Sequence, residues 1–332
     1  MQMRFQLLLL VLLAGSIWRC TSSGDNHRGA VEKRDFRQDM RQLIQTISAY
    51  AKQTNPDFII IPQNGHGLLT LGDDTTAGPA SAYLAAIDGV GREDLFFGYN
   101  ADNQATPASE RDEMLGFMDL AEAHRVRVLA TDYCSTPAKM DSSYAWNHRH
   151  GFISFAADQR ELNNIPNYPS EPYHLNGTEI LNLPTAQNFL YILNPGNFTD
   201  KAGFLNALDA TGYDLIITDA FFGASEPLSA AEVTALRTKP GGARRLVIAY
   251  MSIGEAESYR PYWQSGWQVG NPAWLFDENP DWPGNYKVAY WDPEWQTVLF
   301  GGSTAYLDRI TAAGFDGVYL DIIDAYEYFE NL

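Results

Sequence analysis

The chemistry-bearing residues of this sequence stand where short apolar runs end. In Gly314 to Tyr328, GFDGVYLDIIDAYEY, the run Gly-Val-Tyr-Leu leads directly into Asp321, with Asp324 three residues later. A buried strand that ends in a carboxylate is how an α/β barrel presents an acid to its active-site mouth. The pattern recurs along the chain. Apolar runs end at or near Gln63, Glu93, Asp132, Asp158, Asn194, Asp219 and Glu255. In a barrel these groups converge on one rim, whereas a doubly wound open sheet gathers only those at its switch point. No glycine-rich phosphate fingerprint follows any strand, and no Ser or Cys sits in a nucleophile elbow. His66, His124, His148 and His150 lack zinc-site spacing, and two cysteines exclude a Cys-based cluster, so neither metal nor cofactor is expected.

The elements that must position these groups alternate between strand and helix. Apolar positions at three- and four-residue spacing predict a helix over Asp35 to Gln53. Phe58 to Ile61 reads as a strand buried on both faces, ending at the amides Gln63 and Asn64. One strand lies between Tyr83 and Tyr99, on either side of Glu93. A helix over Glu110 to His124 and strands at Val126 to Ala130 and Phe152 to Phe155 follow. The segment 162–184 is rich in Asn, Pro and Tyr, lacks periodicity, and reads as a linker. Beyond it come strands at Phe189 to Leu193, Leu215 to Ile217 and Leu246 to Met251, and helices over Lys201 to Ala210, Ser229 to Thr238 and Ala305 to Ala313. Ser229 and Glu232 have capping-box spacing. A Trp- and Pro-rich excursion spans Tyr259 to Trp295. Roughly eight strand–helix units predict an α/β fold, a (β/α)8 TIM barrel over 36–332.

The net charge of −18 argues against nucleic acid or anionic lipid as a partner bound through charge, and suits a cationic one. Arg4 and the apolar run Leu7 to Ala14 read as an export signal, too short for a membrane span. Cys20 follows, and the pattern resembles a bacterial lipoprotein signal over 1–20 with a flexible tether over 21–35. The expected location is therefore the cell surface or periplasm through a lipid on Cys20, or otherwise the secreted fraction. Cys134 lies in an apolar strand, and no disulfide is expected.

VIAYMSIGEAESYRPYW, the Asn-Pro-Asp-Trp and Tyr-Trp-Asp-Pro-Glu-Trp pieces, GFDGVYLDIIDAYEY and IIPQNG resemble the endo-α-1,4-polygalactosaminidases of glycoside hydrolase family 114. In that family the segments like Phe189 to Tyr328 come first and those like Asp57 to Asp158 second. The reversed order here implies a circularly permuted barrel, with Ala325 to Leu332 packed against Val31 to Gln53. The resemblance implies an internal cut in a galactosamine-containing polysaccharide, a cationic substrate when its amines are free.

Most glycosidases use two carboxyl groups flanking the scissile bond. The family's pair is an Asp after the fourth barrel strand and a Glu on the sixth, which map onto Asp321 and Glu93. Asp321 is expected as nucleophile or charge stabiliser and Glu93 as general acid/base, with the exchanged assignment also open. Glu255, Asp132, Asp219, Gln63, Asn64, Tyr133, Tyr259 and Trp291 are the expected substrate-binding residues. Three other readings stand beside this one: a carbohydrate-binding lipoprotein without turnover, a hydrolase of another amino-sugar polymer, and a divalent-metal hydrolase using the acidic rim.

Overall fold

The computed structural model describes residues 34–72 and 74–332. The expected export signal and Cys20 lie outside the described residues. Helix α1 (Phe36–Thr54) starts where Asp35 accepts the Gln38 N–H at 2.9 Å, and it buries Met40, Leu43, Ile44 and Ile47 on one face. Then come β1 (Ile59–Pro62), the short α2 (Ser81–Leu84), β2 (Gly89–Glu93), α3 (Ala108–Ala123), β3 (Arg127–Tyr133), α4 (Pro137–His150) and β4 (Ile153–Ala157). After a largely irregular segment the chain forms β5 (Phe189–Ile192), α5 (Lys201–Asp209), β6 (Leu215–Asp219), the small pair β7 (Phe221–Phe222) and β8 (Glu226–Pro227), α6 (Ala230–Leu236) and β9 (Leu246–Ser252). It ends with β10 (Glu255–Glu257), β11 (Leu275–Glu278), β12 (Asn285–Val288), α7 (Pro293–Leu299), α8 (Tyr306–Ala313), β13 (Gly317–Asp321) and α9 (Tyr326–Glu330).

The fold is mixed α/β around parallel strands. Five pair in the order β1-β13-β9-β6-β5 and three in the order β2-β3-β4. A parallel bridge between Gln63 and Gly91 links β1 to β2. The parallel array therefore runs β4-β3-β2-β1-β13-β9-β6-β5. Its outer strands β4 and β5 meet through Phe155 and Phe189, whose ring centroids are 5.8 Å apart. Leu215, Ile216 and Ile217 are wholly buried, as continuous apolar runs require when both sheet faces are covered. All the parallel strands end on the same side, and the chemistry-bearing residues follow those ends.

Two regions differ from the sequence reading. Helix α4 was not expected, because its inward face carries Ser143 and Asn147 beside Met140 and Tyr144 and so shows little apolar periodicity. The excursion after Tyr259 contains β11 and β12, which form an antiparallel sheet with β10 just before it, and the start of helix α7. Elsewhere local signals act as expected. Ser229 caps α6 by accepting the Glu232 N–H at 3.3 Å while Glu232 accepts the Ser229 N–H at 2.6 Å.

Arg237 and Arg244 hold Asp316 at 2.9 and 2.7 Å, and Asp316 accepts the Val247 N–H at 2.9 Å, which locks the entry of β13 against β9. The irregular segment is tied down by buried Lys239, which reaches the Asn176 and Thr178 carbonyls and Asp214. Residues from the two ranges expected to pack together do meet. Arg37 pairs with Glu330 at 2.9 Å, and the Phe36 and Phe329 rings stack 5.6 Å apart.

Candidate active site

Glu93 is the last residue of β2, which resolves the ambiguity of that strand. Gly91 of β2 leaves room for the Tyr319 side chain of β13, two strands away: a Cβ at position 91 would collide with the Tyr319 hydroxyl. Asn64 holds Glu93 from β1's end. Its Nδ2 donates to Glu93 Oε2 at 2.8 Å, and its Oδ1 accepts the Glu93 N–H at 3.2 Å. Asn64 takes a left-handed backbone (φ 60°), a conformation Asn tolerates better than most residues. The other Glu93 oxygen accepts a hydrogen bond from the Tyr133 hydroxyl.

Asp321 ends β13, and its Oδ2 accepts the Tyr250 hydroxyl at 2.8 Å. Loss of water around the carboxyl, followed by the charge of Glu93, pushes Asp321 up to about 7.

Both carboxyl groups line one cavity of about 600 Å³. The Arg160 guanidinium lies 3.9 Å from the centre of the Tyr133 ring and is itself held by Asp94 at 2.8 Å and Asp102 at 2.7 Å. On another wall Arg260 joins Asp219 at 2.7 Å to Glu257 at 2.6 Å. Burial still drives Asp219 up to about 6 against the pull of Arg260. Glu255 is fully buried and accepts from Lys287 at 2.6 Å and Asn279 at 2.8 Å, which pins the antiparallel sheet beside the cavity. Gln63 accepts the Tyr191 hydroxyl at 3.0 Å. Six carboxyl groups line the cavity against two guanidinium groups, both already in ion pairs. Tyr259 and Trp282 stand at the mouth, the latter 58% exposed.

Of the residues singled out in the sequence, Asp321, Glu93, Glu255, Asp219, Gln63, Asn64, Tyr133 and Tyr259 come together here. Asp132 does not, and its expected substrate contact is corrected. It is fully buried and faces α4, accepting from Phe96 N at 2.7 Å, Phe97 N at 3.1 Å, Ser143 Oγ at 2.6 Å and Asn147 Nδ2 at 3.1 Å. Its neighbour Tyr133 faces the cavity instead, since successive strand side chains point to opposite faces. Trp291 is likewise corrected. Its ring packs between Phe36 at 5.1 Å and Phe329 at 4.7 Å, away from the cavity lining. Arg160, Tyr191, Tyr250, Glu257 and Arg260 were missed as site residues, whereas Trp282 is one of the rings of the Trp-rich excursion. Only Glu257 and Arg260 carried a local signal, an acid and a base three residues apart. Among the described residues no group of three His, Cys, Asp or Glu side chains is placed to hold a metal ion.

An uncharacterised protein of Deinococcus radiodurans is 52% identical over 127 residues, 38% of each chain. Another, of Methanocaldococcus jannaschii, is 44% identical over 119 residues, 36% of this chain and 33% of its own. A third, of Thermotoga maritima, is 50% identical over 82 residues, 25% of this chain and 24% of its own. The match thus spans about a third of the length of these curated relatives. Residues 176–332 match the model of glycoside-hydrolase family GH114. The chain resembles the GH114 endo-α-1,4-polygalactosaminidases through that stretch, which contains Asp321, and the match supports a glycoside hydrolase.

Proposed function

We propose that this protein is an endo-acting glycoside hydrolase that cleaves internal α-1,4 linkages of a galactosamine-containing polysaccharide, with Asp321 and Glu93 as its carboxyl pair. The observation that carries this reading is that the two groups, from different strands, face one cavity where the charge of one raises the other. Glycoside cleavage needs one carboxyl that carries a proton and one that stays ionised. Both oxygens of Glu93 accept hydrogen bonds, from Tyr133 and Asn64, as suits an ionised carboxylate. Asp321, pushed up to about 7, retains its proton near neutrality.

We therefore assign Asp321 as the acid that protonates the leaving glycosidic oxygen as the C–O bond breaks. Glu93 is the carboxylate that meets the positive charge developing at the anomeric carbon; water supplies the hydroxyl of the product and gives its other proton to the pair, which restores protonated Asp321. This reverses the roles first expected for the pair. The excess of carboxyl groups around the cavity suits a cationic amino sugar.

The same proposal includes a closed, circularly permuted (β/α)8 barrel. Counted along the chain from β5, Asp321 ends the fourth parallel strand and Glu93, continuing from β1, the sixth. Those are the positions the resemblance implies. The Phe155–Phe189 contact supports closure between β4 and β5. Export with a lipid on Cys20 belongs to the proposal as well.

The test is reducing-end release from partially deacetylated poly-α-1,4-galactosamine by wild type, Asp321→Asn and Glu93→Gln. Cleavage by wild type alone is expected. Equal cleavage by Glu93→Gln moves the second carboxyl elsewhere, and binding without cleavage by wild type favours a binding protein.

A further inference from the structure

Beside the catalytic cavity, on the same rim, lies a second cavity of about 370 Å³. Its walls come from the loop after β1, from Arg92 of β2, from the first turns of α3 and from the segment after β13. Its volume falls within the ~300–1,000 Å³ of ordinary ligand clefts. The two cavities share Asn64 and Asp324. Asn64 is the residue that clamps Glu93, so the second cavity begins at the catalytic pair.

Its charge is one-sided. Glu110, Glu113, Asp324 and Glu327 face Arg37 and Arg92. Arg37 pairs with Glu330, outside the cavity lining, and its guanidinium lies 4.6 Å over the Tyr326 ring. Arg92 points away from Glu93 across the strand, meets His66 Nδ1 at 3.1 Å, and leaves its buried Nε without a partner. None of the four carboxyl groups is in an ion pair among the described residues; Glu110 accepts from two neutral hydroxyls, Tyr99 at 3.1 Å and Ser109 at 3.3 Å. Burial and the nearby Glu327 charge push Asp324 up to about 6. A cation placed here would relieve that repulsion, and the half-exposed Tyr99 ring offers it a face.

We infer that this second cavity is a further saccharide subsite, which takes an amino-sugar unit with a free ammonium group. The inference rests on the glycoside hydrolase reading for the position of the scissile bond. With the bond over Asp321 and Glu93, the chain extends past Tyr259 and Trp282 through the first cavity and past Asn64 and Asp324 into the second. An internal cut requires such holds on both sides. Glu113 and Glu327 recognise the ammonium, and an N-acetylated unit gains nothing from them.

The test uses Asp321→Asn, which blocks turnover, with and without Glu113→Gln and Glu327→Gln. Both glutamates are exposed, so the fold tolerates their replacement. Titration calorimetry measures binding of an α-1,4-galactosamine hexamer with free amines and of its N-acetylated counterpart. Loss of the two carboxylates is expected to weaken binding of the free-amine hexamer about tenfold. The N-acetylated hexamer is expected to bind both forms equally. Undetectable binding of the free-amine hexamer, equal affinity of the two forms for it, or a loss shared by both hexamers overturns the subsite. Wild type that releases no reducing ends from the free-amine polymer sinks the hydrolase reading instead, and the charge-dependent binding can still be read.

Discussion

Tyr250→Phe removes one hydroxyl and keeps the ring. That hydroxyl donates to Asp321 Oδ2 at 2.8 Å, and it is the main group restraining the rise of Asp321. A hydrogen bond to a charged group contributes about 1.5–3 kcal/mol. If most of that acts on the ionised form, its loss raises Asp321 by about one to two pH units at ~1.4 kcal/mol each. Asp321 as the acid must be protonated in the free enzyme, so it sets the alkaline limb of kcat/KM, near its value of about 7. The substitution is expected to move that limb upward, to roughly pH 8–9. The assay is kcat/KM for the amino-sugar polymer from pH 4 to 10 in buffers of constant ionic strength. If the acidic limb rises instead, Asp321 acts ionised and the roles revert to those first expected. A profile that does not move refutes the hydrogen bond as a control on Asp321.

Two further outcomes follow from buried charge. The folded chain holds a proton on Asp321 up to about pH 7 that an ordinary carboxyl releases near 3.8, so this group's penalty on stability grows as pH rises through that window. Asp321→Asn cannot ionise and is expected to be more stable than wild type at pH 8, by up to about 4 kcal/mol, with the gain gone at pH 4. Urea unfolding at both values checks it, and a gain independent of pH would refute the cause. Arg260→Ala leaves Asp219 and Glu257 without their shared cation and is expected to cost about 3–5 kcal/mol. An unchanged melting temperature at pH 8 would show that the two carboxyl groups are relieved by water or protonation.

The sequence by itself determined the local elements and the ends at which chemistry collects. Phe58 to Ile61, Leu215 to Ile217 and Gly317 to Leu320 can bury their side chains only in the interior of covered sheets, and the structure has strands there. Ser229 and Glu232 cap their helix through groups three residues apart, a contact that needs nothing from the rest of the chain. Asp321 at the end of its strand was legible for the same reason.

What only the tertiary structure decided is which side each strand turns inward and which distant residues meet. Thr131, Asp132 and Tyr133 are buried on both faces of β3, so composition does not reveal that Tyr133 faces the cavity while Asp132 faces α4. Helix α4 was hidden because it supplies Ser143 and Asn147 to that buried carboxylate and so lacks an apolar stripe. Glu93, Tyr133 and Asn64 come from three separate strand ends, and Arg160, Tyr250 and Arg260 gain their roles through side chains far away in sequence. Local spacing carries the geometry of one helix turn or one strand. The site is made between strands, and its register comes from packing that no single stretch contains.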